Sequence, residues 1–210
     1  MDRTLYEGAA AIGIELTRDQ HDKLLMHLDI LDEWSARMNL TAIRDRPSQI
    51  TRHLLDSLSV QPWLHGYDCA DVGSGAGFPG IPLAIVAADR HFSLIESTGK
   101  KARFLSHACE ALNLGNVTVV NTRAEQYRPP RPFSTVVARA VGPVAQLAEF
   151  SRSLVFAGGT LLAMKGRLPE AEVSGRLDGW QRAGLHRLTV PGLDEERHLV
   201  ELRRTRDKSR

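Results

Sequence analysis

The stretch Asp71-Val72-Gly73-Ser74-Gly75-Ala76-Gly77-Phe78-Pro79-Gly80 narrows the possible folds of this chain more than any other segment. It follows a short apolar run ending at Val72 and precedes the apolar run from Ile81 to Ala88, so it predicts a strand, a tight turn and a helix in succession. Glycine at 73, 75 and 77 permits positive φ and lets backbone amides come close to a ligand. From residue 67 onward, short apolar runs alternate with helical periods, the pattern of repeated βα units around a mostly parallel sheet. Predicted strands are Tyr67–Val72, Phe92–Glu96, Val117–Val120, Thr135–Arg139 and Thr160–Met164, with helical segments near 80–88, 100–112, 143–154 and 169–182. Leu185–Val190 and Arg197–Arg203, joined through Pro-Gly-Leu-Asp-Glu-Glu, predict a terminal antiparallel hairpin. In open α/β sheets, ligands bind outside the carboxyl ends of strands where the strand order reverses, which is where the glycine turn is expected.

The first sixty residues read as helices. Thr4 with Glu7, and Thr17 with Gln20, have the form of capping boxes that start helices. Leu24, Leu28, Leu31, Trp34 and Met38 then recur at three- and four-residue steps as a core-facing stripe, and a further helix from Pro47 carries Ile50, Leu54 and Leu58 on one face, with His53 and Asp56 beside them. The expected organisation is a helical segment over residues 1–62 packed on a domain over 63–210, the two forming one unit. The overall charge of +2 conceals an uneven distribution: seven Lys and Arg face ten Asp and Glu over residues 1–60, against seven to two over 97–139 and five to one over 203–210. The basic stretches suit a phosphate backbone, although a basic tail is also a common solvated end. No apolar run approaches the roughly 20 residues of a membrane helix, and no signal-like N-terminus is seen, so a cytoplasmic, non-membrane protein is expected. Two cysteines, Cys69 and Cys109, without a CxxC pair argue against disulfide and metal sites and for two buried thiols.

Gly75-Ala-Gly77-Phe-Pro-Gly80 satisfies GxGxxG, a dinucleotide fingerprint that is weak alone. Asp71 makes the longer form DxGxGxG, which resembles motif I of S-adenosylmethionine (AdoMet) methyltransferases. Glu96 ends the next strand 19 residues after Gly77, where a carboxylate can accept both hydroxyls of a ribose. Either cofactor uses such an acid. Asp71, the terminal hairpin and the lack of a recognisable hydride-transfer site favour AdoMet over NAD and a class I (Rossmann-like) methyltransferase with a seven-stranded α/β sheet. A nicotinamide oxidoreductase and an RNA-binding module without catalysis stand as the alternatives.

The blocks NLTAIRD (39–45), RHLLDSL (52–58), DVGSGAGFPGIPLAI (71–85), LIESTGKKARFL (94–105), RAE (123–125), ARA (138–140), MKG (164–166) and ERHLV (196–200) occur in this order. Together they resemble the bacterial 16S ribosomal RNA guanine-N7 methyltransferases, formerly called glucose-inhibited division protein B, from about residue 20 to 202. The resemblance implies AdoMet as cofactor and N7 of guanine 527 in 16S rRNA as target, and leaves open whether naked rRNA or the 30S subunit is methylated; methylation of another RNA or a small molecule on the same fold is the alternative. The sequence shows no heptad or obvious dimer helix, so a monomer is expected. Carried onto this chain, the cofactor would be held by Asp71, Gly73, Gly75, Gly77 and Phe78, by Glu96, Ser97 and Thr98, by Ala124 and Glu125, and by Arg139. Glu96 would hold the ribose, Ala124 and Glu125 would flank the adenine, and Phe78 would give the turn an apolar wall.

Guanine N7 bears an in-plane lone pair and no proton, so its methylation requires no general base, and no catalytic dyad is expected. The work is alignment of nucleophile and methyl group. No amino-methylating NPPY-like tetrad and no nucleophilic cysteine follow the fourth strand, which ends instead in Ala138-Arg139-Ala140. Arg139, Arg123 and Lys165 are the positioning candidates. Lys100, Lys101, Arg103, Arg123, Lys165 and Arg167 fall at or beyond the predicted carboxyl ends of strands and are candidates for RNA phosphates. Asn39, His53 and Asp56 match the resembled blocks, with His53 and Asp56 read as a pair that fixes helix packing.

Overall fold

The computed structural model describes residues 3–167, 175 and 177–206. Seven strands form one sheet in the order β3-β2-β1-β4-β5-β7-β6. They are β1 Asp68–Val72, β2 His91–Ile95, β3 Val117–Val120, β4 Phe133–Arg139, β5 Val155–Lys165, β6 Trp180–Leu188 and β7 Arg197–Arg204. β1 to β5 run parallel, and β7 pairs antiparallel with both β5 and β6. The expected parallel sheet and terminal hairpin are both present. The chain winds outward from β1 through β2 to β3, then returns to place β4 on the other side of β1, so the reversal lies between β1 and β4.

Alternation along the strands gives the sheet two buried faces. Cys69, Phe92, Leu94, Val137, Leu162 and Leu199 point to the face covered by α5 (Gly80–Val86) and α6 (Gly99–Ala111), while Ala70, Val72, Val136, Ala138, Leu161 and Val200 point to the face covered by α7 (Val144–Ser151). Each fully buried Phe or Leu contributes about 1.5–3 kcal/mol. α1 (Arg3–Ala11) and α2 (Arg18–Met38) add a layer over α5 and α6: Leu5, Leu24, Leu28 and Leu31 share one core with Ile81, Ile85, Phe104 and Leu105.

Thr17 starts α2 by the expected reciprocal cap, its Oγ1 accepting from Gln20 N and its own amide donating to Gln20 Oε1. Asn39 ends it at φ 50°, the left-handed conformation that asparagine tolerates. Thr4 stands inside α1, so that capping box does not mark a start. The helix expected from Pro47 divides into α3 (Arg46–Gln49), a π-helical turn over Ile50–Leu55 and α4 (Asp56–Leu58). Asp56 N donates to Thr51 O, five residues back, so the turn is wider than α-helix.

Three expectations are corrected. β5 begins at Val155, before Gly158 and Gly159, because a register shift opposite Phe133 and Thr135 accommodates both glycines. The helix expected near 169–182 falls partly outside the described residues, and its end, Trp180–Arg182, is the start of β6. Burial of the Trp180 ring, with Nε1 donating to Ala148 O at 2.9 Å, outweighs the helical spacing there. β6 likewise begins earlier and ends earlier than the expected Leu185–Val190, and the basic tail is described only to Arg206. Among the described residues no helix is long and apolar enough to cross a membrane.

Candidate functional site

The glycine turn sits at the carboxyl end of β1, beside the reversal of strand order, with φ of 71° at Gly73, 56° at Gly75 and 86° at Gly77. The amides of Gly73 and Ser74 both donate to Ile95 O, and Ser74 Oγ donates to Asp71 O at 2.9 Å. Glu96, 5% exposed, fastens the turn to the loop after β2: its Oε2 accepts from Gly75 N at 3.0 Å and its Oε1 from Thr98 N at 2.7 Å. Each carboxylate oxygen retains a second acceptor position. Asn121 Nδ2 donates to Glu96 O, which fixes the loop from the β3 side.

Asp71 stands under the turn, not over it. The period of two that puts Cys69 on the α5 face puts Asp71 there as well, and its Oδ2 accepts from Gly80 N at 2.9 Å. Its Oδ1 is buried without a partner, and complete burial raises the carboxyl to about 7, against the opposing effect of the Gly80 hydrogen bond. Gly77 is also buried, with a Cβ there meeting Ile81 and His27 Nε2. Gly73 is exposed and Gly75 half-exposed, so these two carry the face that a cofactor can approach.

Two clefts open on either side of this frame. A slot of about 140 Å³ is lined by Val72, Gly73, Ile95, Ser97, Ala124 and Val141, with Thr122, Arg123 and Glu125 at its edge. Apolar walls, an exposed glycine and the nearby Glu96 carboxylate suit a flat heterocycle with an attached ribose. A second pocket of about 430 Å³ lies at the ends of β4 and β5 against the π turn, and includes Arg52, His53, Asp56, Arg139, Lys165 and Arg197.

In that pocket one buried carboxylate holds two guanidinium groups. Asp56 Oδ2 accepts from Arg139 Nη1 at 2.9 Å, and Asp56 Oδ1 from Arg197 Nε at 3.0 Å. Arg139 Nη1 also donates to Arg52 O, and its Cζ lies 5.3 Å from the Phe78 ring centroid. The Phe78 ring stacks on His53 (centroids 4.5 Å apart, 13° between planes) and meets His27 at 4.6 Å. Phe78 is 4% exposed, so it is a core residue supporting Arg139 from behind and not an open wall of the turn. Both histidines are neutral. Burial lowers His27 to about 3, and burial together with the Arg139 charge lowers His53 to about 4. His27 Nε2 donates to Ala76 O, which ties α2 to the glycine turn. His53 bonds Thr41 Oγ1 at 2.9 Å, so the expected His53–Asp56 pair does not form: the π turn sends the two side chains to different partners.

The structure thus sorts the sequence candidates. Gly73, Ser97, Ala124 and Glu125 line the slot, with Arg123 exposed beside them, and Arg139 and Lys165 line the larger pocket. Lys165 Nζ donates to Gly142 O. Arg167 is exposed just past β5, Lys100 and Arg103 face a separate cleft between α2 and α6, and Lys101 is half-buried on α6. Sequence reasoning missed Arg52 and Arg197. Arg197 had a signal: β7 runs antiparallel to β5 with His198 opposite Lys165, so the first residues of the last strand return to the rim where the parallel strands end.

The sequence profile of the family described as rRNA small subunit methyltransferase G matches residues 20–200. The chain is 44% identical to the ribosomal RNA small subunit methyltransferase G of Marinobacter nauticus over 93% of its own length and 92% of that protein, and 44% identical to that of Methylococcus capsulatus over 96% and 98%. Among solved structures, the N-methyltransferase NodS of Bradyrhizobium japonicum superposes with a TM-score of 0.57 at 14% identity, over 78% of this chain and all of that one. A mutant of MtNAS in complex with S-adenosylmethionine superposes with a TM-score of 0.59 at 13% identity, over 97% and 77%. The fold is that of the class I methyltransferases.

Proposed function

The chain belongs to the rRNA small subunit methyltransferase G family, and from that premise we propose that it transfers the methyl group of AdoMet to N7 of guanine 527 in 16S rRNA. The observation that carries the reading is the pairing of two sites across one glycine turn: a slot with an exposed glycine beside a ribose-competent carboxylate, and a cationic pocket built on Arg139 and Arg197. AdoMet, when bound, supplies a methyl group on a positively charged sulfur, electrophilic enough to react with a neutral ring nitrogen.

The residues divide the remaining work. Gly73 and Gly75 let the backbone approach the cofactor, Glu96 holds the ribose hydroxyls, and Ala124 and Glu125 bound the adenine. Asp71, Gly77 and Phe78 act behind them, by holding the turn. Asp56 positions Arg139 and Arg197, whose planar forks suit the O6 of guanine and a phosphate. N7 has no proton to lose, and the two histidines nearest the turn are held neutral by burial, so the site positions its reactants without acid–base exchange. Lys165 and Arg167 with Arg123 contact RNA phosphates at the rim. The helical segment over 1–62 and the methyltransferase domain over 63–210 work as one unit, as their shared core suggests, in a cytoplasmic monomer.

The test is transfer of labelled methyl from AdoMet to 30S subunits and to naked 16S rRNA from cells lacking this gene, followed by nucleoside digestion and site mapping. Labelled 7-methylguanosine at one position is the expected product, and the better acceptor identifies the assembly state that is recognised. AdoMet binding without label on either RNA would reject the substrate; no AdoMet binding would reject the enzyme.

A further inference from the structure

The apolar stripe of α2 does not end in the core. Leu24, Leu28 and Leu31 are fully buried, but the next residue of the stripe, Trp34, is only half-buried. Its ring stands edge-on to buried Phe104 at 5.7 Å (68° between planes) and lies 5.3 Å from the His107 ring. The Trp34 and His107 rings line a cleft of about 490 Å³ between α2 and α6, within the roughly 300–1,000 Å³ range of small-ligand sites, and Phe104 supports Trp34 from the core.

Three cations from two helices face this cleft: Arg37 from α2, and Lys100 and Arg103 from α6. All three are exposed, and none is in an ion pair among the described residues. Several other bases of the helical layer are matched, Arg18 with Asp22, Lys23 with Asp19, and Arg46 with Asp29 and Asp32. Among the described residues Glu33 is the single acid lining the cleft. Like charges converging on one cavity repel one another, and an anion placed there relieves the repulsion. α6 begins directly after Thr98, the residue whose amide is held by Glu96, so the cleft opens at the same edge of the sheet as the two pockets beside the glycine turn.

An aromatic floor with a rim of unmatched cations is the combination that holds a single nucleic-acid strand, bases on the rings and phosphates on the cations. We propose that the α2–α6 cleft binds the RNA strand flanking the target nucleotide, with one unstacked base on Trp34 and His107 and the neighbouring phosphates on Arg37, Lys100 and Arg103. The proposal rests on the RNA-methyltransferase reading above and adds to it a second contact, outside the reaction pocket, through which the enzyme reads RNA shape.

The test compares the intact protein with the double variant Arg37→Gln/Arg103→Gln, and with Trp34→Phe and Trp34→Leu. Filter binding to naked 16S rRNA and to 30S subunits, methyl-transfer kinetics across a salt series, and AdoMet affinity by calorimetry are measured in parallel. The double variant is expected to weaken naked-rRNA binding and raise KM by about tenfold or more at moderate salt, with kcat and AdoMet affinity unchanged. Its log–log salt dependence should flatten by about 1.4, the value for two lost phosphate contacts on single-stranded RNA. Trp34→Leu should raise KM by about 5- to 100-fold, whereas Trp34→Phe, which keeps a stacking face, should stay near wild type. Unchanged rRNA affinity and salt slope in the double variant, with an active wild type, would overturn the proposal alone. A loss confined to 30S subunits would overturn it in favour of a ribosomal protein as occupant. A wild type that binds AdoMet but methylates neither RNA would instead remove the RNA reading on which it stands.

Discussion

At the scale of single residues, the glycines of the turn do different work, and substitution separates them. A Cβ at Gly80 would lie 2.3 Å from Leu94 Cδ2 and 2.7 Å from Asp71 Oδ2, both buried and without room to move. Gly80→Ala is therefore expected to cost about 1–3 kcal/mol of stability by overpacking, read as a lowered Tm. At Gly75 the nearest neighbour of a Cβ is Gly73 O at 3.6 Å, an ordinary contact, and aspartate tolerates its φ of 56° better than most residues. Gly75→Asp should fold with a Tm within a few degrees of wild type, yet lose AdoMet binding in calorimetry, because its carboxylate joins Glu96 where the turn meets a ligand. Retained methyl transfer by the folded variant would dismiss the proposed cofactor placement. The sequence shows that this turn is glycine-rich, but not which glycine faces a ligand. That distinction depends on α2, whose His27 reaches Ala76 from 49 residues away.

Among the elements, Trp180 ties β6 to α7. Trp180 is 7% exposed, and its Nε1 donates to Ala148 O near the end of α7, where helix carbonyls lack partners in the next turn. Trp180→Phe preserves an aromatic ring but leaves that carbonyl buried and unpaired. A loss of about 1–3 kcal/mol in denaturant unfolding is expected, with kcat unchanged, since no pocket residue is touched. A midpoint equal to wild type would mean that the bond adds nothing. This strand also shows the limits of periodicity. The core strands β1, β2 and β4 were legible because apolar runs, alternation and glycine turns agree there. β6 was not, since its exposed residues alternate with few apolar ones, and its position depends on pairing with β7 and on Trp180 docking on a helix distant in sequence. The π turn over Ile50–Leu55 was equally invisible. One residue more per turn leaves the apolar spacing of Ile50, Leu54 and Leu58 intact while redirecting His53 and Asp56, so the pair suggested by their spacing separates into two partnerships.

For the whole molecule, three buried titratable groups around the glycine turn make stability depend on pH in a way that no single one would. His27 and His53 are depressed to about 3 and about 4, so the unfolded chain takes up their two protons below about 6.5 while the folded chain does not; their contribution is complete above that value and lost as pH falls. Asp71 works in the opposite direction. Its carboxyl is raised to about 7, so the folded chain keeps a proton that the unfolded chain releases above about 4, and this contribution is lost as pH rises through 7. Between about pH 5 and 6 the unfolded state thus binds close to one proton more than the folded state, which gives a stability gain of about 1 kcal/mol per pH unit. Near pH 7 the opposing terms cancel and the curve should flatten. Asp71→Asn keeps an acceptor for Gly80 N and removes the compensating proton, so the rise between pH 5 and 6 should steepen to about 2 kcal/mol per unit. Urea unfolding of both proteins at half-unit steps from pH 5 to 8 measures this directly. Parallel curves would show that Asp71 is ionised in the folded protein throughout. A steeper variant curve would establish that the acid of the motif serves as a neutral, buried anchor for the helix after the turn.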